Sequence, residues 1–481
     1  MTSHQDLIAM DACTIVQKLR AGEVTPHDLL DALEARIAAV DPSVNALPTL
    51  CFGRARKHAD TLMQRPAGER GVLAGLPVPI KDLTDVAGVR STQGSPIFAN
   101  NVPATSNILV ENLEANGGIV YAKSNTPEFG AGANTFNEVF GATLNPWNTS
   151  RSAAGSSGGA AVALATGMAW VAHGSDMGGS LRNPASFCGV VGMRPSVGRV
   201  AHTPGAKIDG TLSVEGPMAR NVEDLALLFD AMAGENPRDP LSLDTPKTPF
   251  LDAARSGWKP RKVAYSADLG ITPVDPEVAR LTRAAAEQLA KAGIPVEEAH
   301  PDLSEAHECF QTLRALAFAV SRGKLLREHR DLLKPEVIWN VEKGLALTVD
   351  EIMKAEAQRV ALAGRMLKFF EQYDLLLCPA TIVAAFPIEE RYLAACAGHQ
   401  FETYIDWLAI AYAVTLCCCP ALSLPCGFTS ENLPVGLQIV APPHAEARVL
   451  AGAKLLEDML GLRDTTPIVP RVAASARTAA Q

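Results

Sequence analysis

Long apolar runs are missing from this 481-residue chain: no stretch of about 18 or more apolar residues marks a membrane-spanning helix. Met1 to Asp6 also lack the charged start and apolar run of a secretory signal, so a soluble, cytoplasmic protein is expected. Positive charge is scarce. Lys and Arg number 43 against 52 Asp and Glu, the net charge is −9 and the pI is near 5.7, which leaves no basic footprint for nucleic acid or an anionic membrane. Metal-ligand spacing is absent too. The ten histidines match no cysteine pair, and the adjacent thiols Cys417, Cys418 and Cys419 lack the spacer that lets two thiolates turn to one ion. Neither a metal nor a cofactor is expected, and ten scattered cysteines in an intracellular chain read as free thiols rather than disulfides.

The glycine-rich stretch Ala154-Gly155-Ser156-Ser157-Gly158-Gly159 is present, yet it lacks the lysine and following hydroxyl of a phosphate-binding loop. A flexible linker is the bland reading of such a run. Here the run leads directly into Ala160 to Ala165, a small-residue helix suited to burial, then a strand-like Ala169 to Ala172 and a second glycine turn, Asp176-Met177-Gly178-Gly179-Ser180. Each turn frames a serine, Ser156 or Ser180, and no histidine stands beside either. A serine hydroxyl is a poor nucleophile until a base takes its proton. The lone His173, on an apolar strand, reads as structural. The better candidate is Lys81, which ends the apolar run Leu76-Pro77-Val78-Pro79-Ile80 and so reads as an amine delivered by a buried strand. Burial disfavours the ammonium form and pulls a lysine toward the range in which it accepts a proton.

Lysine, serine and serine in this order and spacing, together with Leu422 to Phe428 and Leu433 to Val440, resemble the amidase signature family over most of the chain. The resemblance implies Ser180 as nucleophile, Ser156 as bridging serine after a cis Gly155-Ser156 peptide, and Lys81 as base. It also implies an oxyanion hole from the backbone amides of Met177, Gly178, Gly179 and Ser180, with Ser157, Asp176 and Arg182 in support. Ala154 stands where the family usually has glycine, and Asn183 where the residue after the arginine is more often apolar or glutamine. Phe129, Asn134, Phe136, Tyr404, Trp407 and Cys418 are the substrate-pocket candidates. The segments Phe129 to Thr135 and Thr403 to Leu408 look most like members acting on aryl amides, anilides, carbamates or nylon-type oligomers.

The expected fold class is α/β: a single large domain with a central mixed, twisted β-sheet covered by helices on both faces. Its sections are N-terminal helices over 1–65, a catalytic core over 66–235, a pocket-forming helical section over 236–375, and strands and helices over 376–470 that rejoin the sheet. Helices are expected at Gln5 to Leu19, Pro26 to Val40 with Thr25 as N-cap, Ala55 to Gln64, Ser106 to Asn116, Val222 to Met232 and Asp275 to Ala292. The implied function is hydrolysis of a small, aryl or apolar amide through an acyl-enzyme, with esters or carbamates as further substrates and a homodimer as the common assembly. Two other readings stand beside it: the glutaminase component of a tRNA-dependent amidotransferase, against which Asn183 argues, and a noncatalytic binding protein on the same scaffold.

Overall fold

Thr25 closes the N-terminus of the Pro26–Val40 helix with a reciprocal cap, its hydroxyl accepting from the Asp28 N–H while the Asp28 carboxylate takes the Thr25 N–H. This is the start chemistry expected from the sequence. The computed structural model describes residues 3–202 and 210–473. The expected single helix at Gln5 to Leu19 is instead two, His4–Ala9 and Ala12–Ala21. Met10 is extended and the Asp11 carboxylate caps the second helix by accepting from the Thr14 N–H, so a local cap overrides the continuous apolar spacing.

Eight strands form the main sheet in the order Val296–Glu298, Val263–Tyr265, Leu375–Pro379, Pro434–Val440, Ala421–Phe428, Val191–Arg194, Val214–Ala219 and Val171–Asp176. The first three run parallel to one another and the remaining neighbours pair antiparallel, so the sheet is mixed, as expected for this single-domain α/β fold. A second, smaller sheet lies beside this central one. Pro77–Lys81, which carries Lys81, pairs parallel with Ile119–Ser124 in a separate three-stranded sheet completed by Thr49–Leu50. That small sheet packs against the edge strand Val171–Asp176 of the large one. The seam between them is where the two glycine turns meet.

The Gly158–Ala165 helix fills this seam, and all eight of its residues are buried. A side chain at residue 159 would place its Cβ 2.3 Å from the Asn125 nitrogen and 2.5 Å from the Ala46 oxygen, so only glycine lets the helix approach so closely. Helices flank the large sheet, and three further ones, Ala306–His329, Pro335–Leu345 and Val349–Phe369, pack together. The first packs along the other two and brings its residues to the serine turns. Among the described residues no helix is long and apolar enough to cross a membrane, and no cluster of His, Cys, Asp or Glu has the grouping of a metal site.

Candidate active site

Every residue of Pro77–Lys81 is buried, and the strand ends by placing the Lys81 amine among hydroxyls. Its Nζ lies 2.7 Å from Ser156 Oγ, 2.9 Å from Ser157 Oγ, 3.0 Å from Ser175 Oγ and 3.3 Å from the Ser175 carbonyl oxygen. None of these partners carries a charge. Burial therefore lowers the lysine from 10.5 to about 7, with the more distant Glu215 and Asp176 carboxylates pulling partly the other way. A neutral amine has two N–H bonds and one lone pair, so four oxygen neighbours leave the lone pair facing a hydroxyl proton. Ser156 offers the shortest of these contacts.

His173 stands behind the lysine, away from the serines. Its Nδ1 accepts the Lys81 backbone N–H at 3.3 Å, which puts the ring proton on Nε2, where it is donated to Glu215 Oε2 at 2.7 Å. The histidine thus braces the strand end and holds a carboxylate near the amine. This is the structural role its lone place in the strand suggested.

The first serine turn has the cis Gly155–Ser156 peptide that the resemblance implies, with Ala154 at φ 55°. Thr135 Oγ1 holds this turn by donating to the Ala154 carbonyl at 2.8 Å, and the Ser157 N–H ties it to the second turn by donating to the Ser180 carbonyl at 3.1 Å. Asp176 organises that second turn. Its two oxygens accept from the N–H groups of Gly179 and Leu181, each at 3.0 Å, and from the Arg182 fork at 2.8 and 3.1 Å. Burial alone would raise this carboxyl; the guanidiniums of Arg182 and Arg194 outweigh it and hold the group well below the usual carboxylate range. Arg182 also donates to the Ala411 carbonyl, Gln438 Oε1 and Thr415 Oγ1, which ties the turn to the Ala409–Leu416 helix and the Pro434–Val440 strand.

Because the Gly179 N–H is spent on Asp176, it is not a free member of the expected four-amide hole. The N–H groups of Met177, Gly178 and Ser180 have no partner among the described residues. Gly179 matters through its backbone instead: its φ is 107°, and a Cβ there would lie 2.5 Å from Asn183 Oδ1 and 2.7 Å from Ala411 Cβ.

Ser156, Ser180, Ser175, Met177 and Gly178 share one narrow cavity of about 70 Å³. A wider hollow of about 710 Å³ beside Arg151, Asp275 and Tyr392 holds neither the lysine nor the serines, so size does not mark the chemistry here. Of the expected pocket residues, Phe129 and Tyr404 line the serine cavity. The other four lie outside its wall. Asn134 is committed to Ser152 Oγ and the Glu390 carbonyl, and Phe136 lies under the cations of Lys334 and Arg391. Trp407 packs between Phe187 and Phe386, and Cys418 takes a contact from Arg359.

Sequence reasoning missed Ser175, Phe310, Arg314 and Phe318, all of which line the cavity. Ser175 carried a visible cue, since it directly precedes Asp176 on the strand that delivers the turn. Phe310, Arg314 and Phe318 follow an i, i+4, i+8 spacing on Ala306–His329, which marks one helix face without saying that it borders a cavity.

The family model described as Amidase matches residues 28–450. An acylamidase of Rhodococcus erythropolis is 33% identical over 472 residues, covering 97% of this chain and 98% of that protein. A glutamyl-tRNA(Gln) amidotransferase subunit of Halothermothrix orenii is 32% identical over 480 residues, covering 93% of this chain and 97% of the relative. In three dimensions, the crystal structure of a bacterial aryl acylamidase of the amidase signature family superposes with a TM-score of 0.87 at 26% identity, covering 95% of this chain and 99% of the other.

Proposed function

This chain belongs to the amidase signature family and is a hydrolase of carbon–nitrogen amide bonds; on that premise we propose that it works alone on small amides, with Ser180 as nucleophile, Ser156 as proton shuttle and Lys81 as base. The observation that carries this reading is the 2.7 Å contact between Lys81 Nζ and Ser156 Oγ in a site where the amine meets no carboxylate among the described residues.

The steps follow from that contact. Neutral Lys81 takes the Ser156 proton while Ser156 takes that of Ser180, and the Ser180 oxygen bonds to the amide carbon. The carbonyl oxygen becomes an oxyanion, for which the unpartnered N–H groups of Met177, Gly178 and Ser180 are the available donors. As the carbon–nitrogen bond breaks, Ser156 gives a proton to the departing nitrogen and regains one from Lys81. An amide needs this step because an unprotonated amine anion leaves badly. Water then adds to the acyl-enzyme by the same relay, its proton passing to Lys81, and Ser180 recovers its proton as the acid departs.

Similarity to an acylamidase and to an aryl acylamidase supports aryl or other apolar amides as the substrate class, with esters and carbamates as accessory substrates. The small cavity favours a modest ligand, since pockets for drug-sized molecules are several hundred Å³. A second reading, a glutaminase acting within an amidotransferase, is supported by the 32% identity to the amidotransferase relative over nearly its full length. A panel of anilides, aliphatic amides, carbamates and glutamine separates the two, with fluorophosphonate labelling of wild type and Ser180→Ala run alongside. Cleavage of anilides with labelling lost in Ser180→Ala is the expected result. Glutamine as sole substrate would transfer the assignment to the second reading, and undiminished labelling of Ser180→Ala would overturn the nucleophile.

A further inference from the structure

In the wall of the cavity that holds the serines stands a buried guanidinium with no anion to meet it among the described residues. Arg314 is 7% exposed, lines the same cavity as Ser156 and Ser180, and has no carboxylate within ion-pair distance among the described residues. Its contacts are neutral: Nη2 donates to the Tyr404 hydroxyl at 2.7 Å, Nη1 reaches Met177 Sδ at 3.3 Å, and the Phe318 ring lies under the guanidinium at 4.5 Å. Its Nε–H is buried without a hydrogen-bond partner among the described residues. A buried charge left so incompletely satisfied is costly unless something else answers it.

Tyr404 points to the same missing partner. Its oxygen accepts from both Arg314 Nη2 and Asn340 Nδ2, the latter at 2.5 Å, so its own O–H has no acceptor among the described residues, and Tyr404 lines the cavity. Two cavity-lining residues thus each carry a hydrogen-bond donor with no acceptor among the described residues. The surrounding field has the same sign. Arg322 lies over the Phe129 ring at 4.4 Å and bonds Gln93 and the Ser321 carbonyl, and the buried Lys334 amine donates to the Ala131 carbonyl. Of the nearby acids, Glu336 is held in a fork by Arg391, and Glu128 accepts from Ser95 Oγ and the Lys334 N–H. Neither is left to neutralise Arg314.

We propose that this cavity selects amides bearing a carboxylate, seated on Arg314 and the Tyr404 hydroxyl while the scissile carbonyl faces Ser180. The proposal rests on the function assigned above and narrows its substrate class. Arg314 touches Met177, whose N–H is among the free donors of the serine turn, so only a short spacer separates the carboxylate from the reacting carbonyl.

Two matched pairs of substrates test it, one with the charge on the amine side (acetanilide against para-acetamidobenzoate) and one with it on the acyl side (valeranilide against glutaranilic acid). Wild type is expected to favour the carboxylate in one pair by roughly tenfold or more in kcat/KM, the order of a charge-assisted hydrogen bond. Arg314→Met is expected to bring that ratio close to one, with Arg314→Lys between. Glutarate is expected to slow fluorophosphonate labelling of Ser180 in wild type and not in Arg314→Met, a readout that needs no turnover. No preference in either pair, or a preference that survives Arg314→Met, overturns the carboxylate subsite. If that happens while Ser180 still labels and neutral anilides are cleaved, the nucleophile assignment stands; if Ser180 does not label, both fall together.

Discussion

Removing the carboxylate nearest in effect to Lys81 should move the pH dependence of catalysis in a direction fixed by the structure. The amine must be neutral to act, and burial lowers it to about 7 even though Glu215 and Asp176 pull it upward. On a neutral anilide, kcat/KM should therefore rise with pH to a plateau, with an inflection near 7 and roughly a tenfold fall per pH unit well below it. Glu215→Gln deletes the larger of the two opposing charges and keeps an oxygen for the His173 Nε2 proton. The ammonium becomes harder to hold, so the inflection should move to lower pH and activity at about pH 6 should rise relative to the plateau. Lys81→Met should lose roughly 10² to 10⁴-fold, the usual contribution of a general base. Stability gives an independent check. The folded lysine titrates below its unfolded value, so between about 7 and 10.5 the unfolded chain holds the proton and the folded one does not, and wild type gains stability as pH rises through that window. The full penalty, roughly 5 kcal/mol, applies below about pH 7. Urea denaturation at about pH 6 and about pH 10 should show wild type gaining on Lys81→Met by several kcal/mol. An upward shift of the inflection in Glu215→Gln, or a wild-type advantage that shrinks as pH rises, would refute this account of the amine.

Ser156→Ala should slow acylation by amides more than by matched esters, because an ester's alkoxide leaves with less help from a proton; equal losses on the two would remove Ser156 as donor to the leaving group. Gly179→Ala puts a methyl 2.5 Å from Asn183 Oδ1 at a φ of 107°, so the turn must shift. Activity should fall roughly a hundredfold or more, as when an oxyanion donor is lost, with a lower Tm, and wild-type kinetics in this variant would show that the turn tolerates movement.

Some of this site is legible in the sequence and some is not, and the division has a physical basis. Glycines framing Ser156 and Ser180 mark places where backbone must come close to something, and a lysine closing an apolar run marks a charge taken into a dry place. Those cues are local in sequence. Arg314 gave none, because the Ala306–His329 helix buries Cys309 through Ala315 without a break, and its apolar spacing looks the same whether a residue faces the core or a cavity. Trp407 misled for the complementary reason: an aromatic side chain suits a ligand wall and a cluster of rings alike, and Trp407 packs on Phe187 and Phe386. The break at Met10 and Asp11 was a contest between apolar periodicity and an N-cap, and the cap prevailed.

The choice of Lys81 over another lysine illustrates how partners rather than burial decide reactivity. Lys123 lies on the adjoining strand Ile119–Ser124 and is as fully buried, and burial lowers it too. Its Nζ, however, stands 3.2 Å from the Asp82 carboxylate and also donates to the Thr84 carbonyl and Ser91 Oγ. That arrangement offsets an ammonium with an anion, so the positive charge of Lys123 is answered within the protein. Lys81 meets three hydroxyls and one carbonyl, none of which compensates a charge but each of which can bond a neutral amine. On the proposed mechanism, two lysines on paired strands, equally hidden from water, are thus suited to opposite uses by a single carboxylate. A base that begins a relay must be able to give its proton back, and the setting of Lys81, dry enough to neutralise it yet within reach of the Glu215 and Asp176 fields, leaves both of its protonation states accessible near neutral pH.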